Sequence, residues 1–126
     1  MKPAGKRILL AEDDRFLRRA CEASLRQRGF TVLTAVDGEE ALRLARAEAP
    51  DLILLDLLMP KIAGIEVLRV LKAEEETRAI PVLVLSNSSR ENDVQEVKHL
   101  GSVGYLVKAN LSLQELGDRV AQLLES

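Results

Sequence analysis

The stretch Asp51-Leu52-Ile53-Leu54-Leu55-Asp56 sets four branched apolar residues in a row between two carboxylates. A strand with one wet face alternates apolar and polar residues, whereas an unbroken apolar run suits a strand covered on both faces. Strands of that kind belong to parallel sheets with helices above and below. Segment 51–55 therefore reads as a buried strand, and segments 7–11, 31–35, 81–85 and 104–107 join it, most of them equally rich in Ile, Leu and Val.

Between these runs the period changes. Segments 14–28, 38–48, 64–76, 90–100 and 112–125 carry apolar residues at three-and-four spacing among Arg, Glu and Gln, which is the pattern of a helix with one buried stripe. Ser112-Leu113-Gln114-Glu115 and Ser88-Ser89-Arg90-Glu91 match the capping box, and Asp37 to Glu40 is an acidic variant of it. Gly29 and Gly101 stand just past helical stretches, where a residue without Cβ takes a left-handed cap at least cost, and Pro50 and Pro81 close other connections. Five alternating βα units with right-handed crossovers predict an α/β protein with a doubly wound open sheet. Ligands of such sheets collect outside the carboxyl ends of the strands.

At 126 residues, with no internal repeat, low-complexity tract or linker, the expectation is a single domain over 1–126 with no output domain. The chain is 47% hydrophobic and 30% charged with a net charge of -2, which is ordinary globular chemistry and argues against disorder. It lacks the basic excess that direct nucleic-acid binding requires. The single cysteine, Cys21, excludes an internal disulfide and lies in a periodic apolar segment, as a core residue does. No apolar run reaches membrane-spanning length, and Met1-Lys2-Pro3-Ala4-Gly5-Lys6 is not a secretory leader. A cytoplasmic location without membrane contact is expected.

The carboxyl ends of the predicted strands carry Glu12, Asp13 and Asp14, then Asp56, Ser86 and Lys108. Carboxylates gathered at one edge repel one another unless a cation neutralises them, and hard oxygen ligands suit Mg2+. Each residue also has a plainer reading. An acidic run before a helix serves as an N-cap, the role expected of Asp14. A lone lysine or serine after a strand is ordinarily a surface or turn residue. Asp56 fits the plain reading worst, because Leu57, Leu58 and Met59 continue the apolar neighbourhood around it. His99, in a helical segment beside Lys98, is assigned no role.

Taken together, Ile8-Leu9-Leu10-Ala11-Glu12-Asp13-Asp14, Asp51 to Asp56, Met59-Pro60, Gly64, Ser86 and Gly104-Tyr105-Leu106-Val107-Lys108 resemble the receiver domains of bacterial two-component response regulators. The likeness is to the single-domain, chemotaxis-regulator type and spans essentially the whole chain. It implies a flavodoxin-like (βα)5 fold, a five-stranded parallel sheet of order 2-1-3-4-5. It further implies that Asp56 accepts a phosphoryl group from the phosphohistidine of a sensor histidine kinase or phosphotransfer protein. Mg2+ would be held by Asp13, Asp56 and the backbone carbonyl of Leu58, with Glu12 acting through a water. Lys108 would pair with the phosphoryl group, Ser86 would be the switch hydroxyl, and Tyr105 the aromatic whose rotamer follows it. The responding face would be the fourth helix, fifth strand and fifth helix. That face would serve an unidentified downstream protein or a weak dimer of an otherwise monomeric domain. The resemblance thus implies a signalling phosphoacceptor, not an enzyme acting on other substrates.

The sequence also departs from the family pattern. Asn87 follows the switch serine where a small residue is usual, and a larger amide there narrows access to Asp56. Leu58 and Ser88 leave the positions two residues beyond Asp56 and Ser86 without an amide or acid to orient attacking water, so a long-lived phosphoryl state is expected. Ala109 replaces the usual proline after Lys108, for which a trans bond is expected. Ala63 leaves the turn before Gly64 without a side-chain cap. Three alternative readings compete with this one. A pseudo-receiver acting as a phosphorylation-independent binding module would not need the retained Glu12, Asp13, Asp56, Ser86 and Lys108. A Mg2+-dependent phosphatase with an aspartyl-phosphate intermediate would carry an acid where Leu58 stands. A flavin-binding flavodoxin would need a hydroxyl-rich phosphate loop and stacking aromatics, whereas this chain has acids there, no Trp and one Tyr.

Overall fold

The computed structural model describes residues 5–87 and 91–125. Five strands, β1 (Arg7–Ala11), β2 (Thr31–Ala35), β3 (Leu52–Asp56), β4 (Val82–Ser86) and β5 (Gly104–Val107), alternate with five helices. The helices are α1 (Arg15–Gln27), α2 (Gly38–Glu48), α3 (Gly64–Ala73), α4 (Glu91–His99) and α5 (Leu113–Glu125). All strand pairs are parallel, in the order β2-β1-β3-β4-β5. This is the flavodoxin-like arrangement expected from the sequence.

The unbroken apolar runs explain the layers. Successive side chains of a strand point to opposite faces, so one run feeds two cores. Leu9, Ala11, Ile53, Leu55, Val82 and Val84 pack with α2, α3 and Val97 of α4. Ile8, Leu10, Leu52, Leu54, Leu83 and Leu85 pack with Cys21 and Leu25 of α1 and with Leu116 and Val120 of α5. Cys21 is a buried core residue, as expected, and burial together with the charge of Glu12 pushes its thiol up to about 11.

Several boundaries move. β3 and β4 begin and end one residue later than predicted, so Asp56 and Ser86 are the last residues of their strands. At the start of β3, Asp51 instead uses its carboxylate to receive the Arg7 amide at 2.8 Å. Helix α3 ends at Ala73, three residues short of the predicted 76, with Glu74 in extended backbone at φ -93° and ψ 136°. Arg46 of α2 grips the Glu74 carboxylate at 2.9 and 2.7 Å, and the buried Thr77 hydroxyl donates to the Leu71 carbonyl at 2.8 Å. These tertiary bonds replace the helical ones. Helix α2 keeps its predicted bounds, α1, α4 and α5 lie within one residue of theirs, and a short 3-10 turn, Lys108–Asn110, was not foreseen.

The caps behave largely as read. Asp14 accepts from the Leu17 amide at 3.0 Å. Ser112 and Glu115 form the reciprocal box at 3.1 and 3.2 Å. Asp37 accepts from the Glu40 amide at 2.8 Å, but the Glu40 carboxylate reaches one residue further back, to the Val36 amide at 2.9 Å. Gly29 and Gly101 take positive φ, and Ala63 provides no side-chain cap. No cis peptide occurs among the described residues. The box expected at Ser88 to Glu91 lies outside the described residues. No helix among the described residues is long and apolar enough to cross a membrane.

Candidate functional site

Strand register assembles the site. Ala11 pairs with Leu55, so Glu12 and Asp13 leave β1 beside Asp56 at the end of β3. Asp56 pairs with Leu85 and Ser86 with Val107, which brings Ser86 and the following Lys108 to the same edge. Glu12 and Asp56 are almost fully buried, at 1% and 4% exposure, and Asp13 is exposed. Oxygens of all three carboxylates lie within 4.8 Å of one another.

The ammonium of Lys108 stands between two of them, 2.5 Å from Glu12 Oε1 and 3.1 Å from Asp56 Oδ2. Asp56 Oδ1 receives the Leu58 amide at 3.2 Å, and Glu12 Oε2 receives the Asp14 amide at 2.9 Å. Burial raises the Asp56 carboxyl to about 6 and the charge of Glu12 adds to this, against the opposing pull of Lys108 and the Leu58 amide. Burial opposes the charge on Lys108, but its contacts with Glu12 and Asp56 outweigh that and hold the ammonium above the ordinary lysine range.

One lysine against three carboxylates leaves negative charge in surplus, and Glu12 Oε1 is buried without a hydrogen bond of good geometry. Oxygen donors and surplus negative charge fit a hard divalent cation. Of the ligands named from the sequence, Glu12, Asp13, Asp56 and the Leu58 carbonyl, the three carboxylates come together.

Ser86 is buried at 1% exposure and borders a cleft of roughly 260 Å³ with Leu57, Leu58, Ala63, Ile65, Asp93 and Glu96. Tyr105 is half-buried on the sheet face of α2, α3 and α4, paired with Val84 two residues before Ser86. The Leu58 side chain is 74% exposed, and Asn87 is exposed beyond Ser86. His99 is exposed in the last turn of α4.

Three features were missed or only half read. Arg18 of α1 donates to the carbonyls of Glu12 and Asp13 at 3.0 and 3.3 Å, and no motif pointed to it. Gly64 was quoted, and its reason is now visible: its amide donates to the Leu57 carbonyl at 2.8 Å, and a Cβ would lie 2.1 Å from the Asp56 carbonyl oxygen. Gly38, unremarked in the sequence, plays a similar part. Its amide donates to the Pro60 carbonyl at 3.2 Å, and a Cβ would lie 2.0 Å from the Ile62 carbonyl oxygen. The loop after Asp56 is held between these two glycines.

A doubly wound sheet with buried acids, a lysine and a serine at its carboxyl edge defines a class, and the chain belongs to it: the response regulator receiver domain family, whose model matches residues 8–121. Among particular relatives, the alkaline phosphatase synthesis transcriptional regulatory protein PhoP of Bacillus subtilis is 37% identical over 120 residues, covering 95% of this chain and 49% of that protein. The chain thus spans about half the length of the curated relatives it matches. The Francisella response regulator 1452 receiver domain superposes with a TM-score of 0.88 at 30% identity, covering 96% of this chain and 98% of the other. The receiver domain of the sensor histidine kinase PA1611 of Pseudomonas aeruginosa, which has a magnesium ion coordinated in its active-site cleft, gives a TM-score of 0.87 at 31% identity, covering 98% and 100%.

Proposed function

We propose that this receiver domain is a Mg2+-dependent phosphoacceptor in which Asp56 takes the phosphoryl group of a histidine kinase or phosphotransfer protein. The observation that carries the reading is the buried Asp56 carboxylate, clustered with Glu12 and Asp13 and 3.1 Å from the Lys108 ammonium that it shares with Glu12. An Asp56 oxygen attacks phosphorus, the bond from phosphorus to the imidazole nitrogen of the donor breaks, and an acyl phosphate forms. The electron pair of that bond leaves with the imidazole.

Asp13, Asp56 and the Leu58 carbonyl would hold Mg2+, with Glu12 acting through a water, and the ion would supply positive charge to the phosphoryl oxygens. Lys108, already paired with Asp56, supplies the second cation without reorganisation. The Leu58 amide keeps one Asp56 oxygen fixed, and burial raises the carboxylate's basicity. Ser86 hydrogen-bonds the new phosphoryl oxygen. Tyr105, on the same sheet face, passes the change to the surface formed by α4, β5 and α5, where a downstream protein or a second copy binds. The domain assists its own phosphorylation and dephosphorylation and turns over no other substrate.

The test is intact mass after incubation with acetyl phosphate or phosphoramidate, with and without Mg2+, for the wild type and Asp56→Asn. A gain of one phosphoryl group that requires Mg2+ and vanishes in Asp56→Asn is expected. A folded, Mg2+-binding domain that gains no mass would instead indicate the phosphorylation-independent binding module.

A further inference from the structure

We infer that Arg18 is a positioning residue for Asp13, acting through the backbone of the turn between β1 and α1. The inference rests on the metal-dependent receiver reading above. Arg18 lies in the first turn of α1, and its Nη1 donates to two successive carbonyls, those of Glu12 at 3.0 Å and Asp13 at 3.3 Å. These carbonyls belong to the two peptide planes that flank the Asp13 Cα. Peptide units are rigid, so tying both planes to one donor restrains φ and ψ of Asp13, and with them the direction of its Cα–Cβ bond.

Asp13 needs that restraint more than its neighbours do. Glu12 and Asp56 are buried and share Lys108, while Glu12 Oε2 is also held by the Asp14 amide. The Asp13 side chain is exposed, and among the described residues no hydrogen bond or ion pair holds its carboxylate. The paired bonds from Arg18 Nη1 are what aim it. The same helix turn is anchored by Asp14, whose carbonyl takes the Arg18 amide at 2.9 Å and whose side chain takes the Leu17 amide. A groove built from one guanidinium and one N-cap acid therefore sets the direction of the one unpacked member of the cluster.

Charge and position make opposite predictions for this residue. A cation behind the acids repels Mg2+, so if Arg18 acted only by charge, its removal would tighten metal binding. If it acts by position, removal loosens the ligand and weakens binding, as loss of an outer partner of a metal ligand does.

Mg2+ affinity is therefore measured by calorimetric titration of the full chain, for the wild type, Asp13→Asn, Arg18→Ala and Arg18→Lys. Arg18→Ala is expected to weaken Mg2+ about tenfold. Both bonds leave the single nitrogen Nη1, and Arg18→Lys keeps the charge but ends one bond short of that position, so it falls between the two. Phosphorylation by acetyl phosphate should need correspondingly more Mg2+ for half-saturation yet reach the wild-type rate at saturation. A purely structural role would lower the melting temperature and leave the half-saturating Mg2+ unmoved. Tightened or unchanged affinity in Arg18→Ala overturns the inference. Should that variant fail to fold, wild-type affinity in Arg18→Lys overturns it alone. If the wild type binds no Mg2+ through Asp13, the receiver reading falls and this inference with it, whereas normal wild-type binding with indifferent Arg18 variants rejects Arg18 only.

Discussion

The two ends of the same parallel sheet are both charged, and only one of them is a site. At the amino end, Arg7 reaches Glu48 through both guanidinium nitrogens, one on the carbonyl and one on Oε1, each at 2.5 Å, and gives its amide to Asp51. That ion pair remains roughly one-third to two-fifths exposed, at 35% and 43%, so water shares its stabilisation. At the carboxyl end, three carboxylates share one lysine, and two of the three are shut away from solvent. Charge alone does not mark function; charge that is both buried and unbalanced does, because folding has to carry its cost until a ligand arrives.

Removing one carboxylate breaks that imbalance directly and has the largest expected effect on stability. The Asp56 carboxyl is raised from 3.8 to about 6. A carboxyl with a raised folded-state pKa favours folding where it is protonated and disfavours it where it is ionised. The cost is absent below about pH 4, grows as the pH rises through the interval, and is complete above about pH 6. Without Mg2+ at pH 7, Asp56→Asn should therefore be more stable than the wild type by about 2 to 3 kcal/mol. The gain should fade toward pH 4 and shrink when Mg2+ saturates the wild type. Denaturant titrations at the two pH values, with and without Mg2+, measure it. Equal stability at pH 7 would mean that the carboxyl edge is no more strained than the amino edge.

The contrast between the ends also explains what was legible in the sequence. Continuous apolar runs between acids and hydroxyls specify buried parallel strands, and once those strands are in register Glu12, Asp13, Asp56, Ser86 and Lys108 must converge. The helix end at Ala73 was not legible, because Glu74-Glu75-Glu76 continues a polar helical face, and the grip of Arg46 from another helix and the Thr77 hydroxyl on Leu71 end it. Arg18 was hidden for a related reason: an arginine in a helical stretch rich in arginine looks like any other until the carbonyls it meets are known. Gly38 gave no periodic signal, since its purpose is a backbone approach from a loop 24 residues away.

The carboxyl edge can be sharpened without touching its charge. Leu58 follows the acceptor by two residues and its side chain is 74% exposed at the rim, where an apolar group cannot orient attacking water. Leu58→Asn should shorten the half-life of the isolated phosphoprotein by about tenfold, a barrier change of about 1.4 kcal/mol. Decay is followed by intact mass after removal of phosphodonor. An unchanged half-life would show that the rim does not govern hydrolysis. Asn87→Ala, the companion change at the end of β4, should raise the rate of phosphorylation by a smaller factor, and an unchanged rate would dispose of the idea that the amide narrows access.

The smallest effect is expected at the amino edge. Glu48→Gln removes the charge from a partner of Arg7 but keeps an acceptor oxygen within reach, and the Glu48 carbonyl and Asp51 still engage Arg7. Partly exposed pairs of this kind contribute less than about 1 kcal/mol and are screened by salt. The variant should therefore lose less than that in a denaturant titration at low ionic strength, and less again at high ionic strength. Mg2+ should not alter the difference, since neither Arg7 nor Glu48 belongs to the acidic cluster at the opposite end of the strands. A larger loss, or one that Mg2+ repairs, would mean that the two ends are coupled through β1, and that strain at the carboxyl edge is held in part by the clamp at the other.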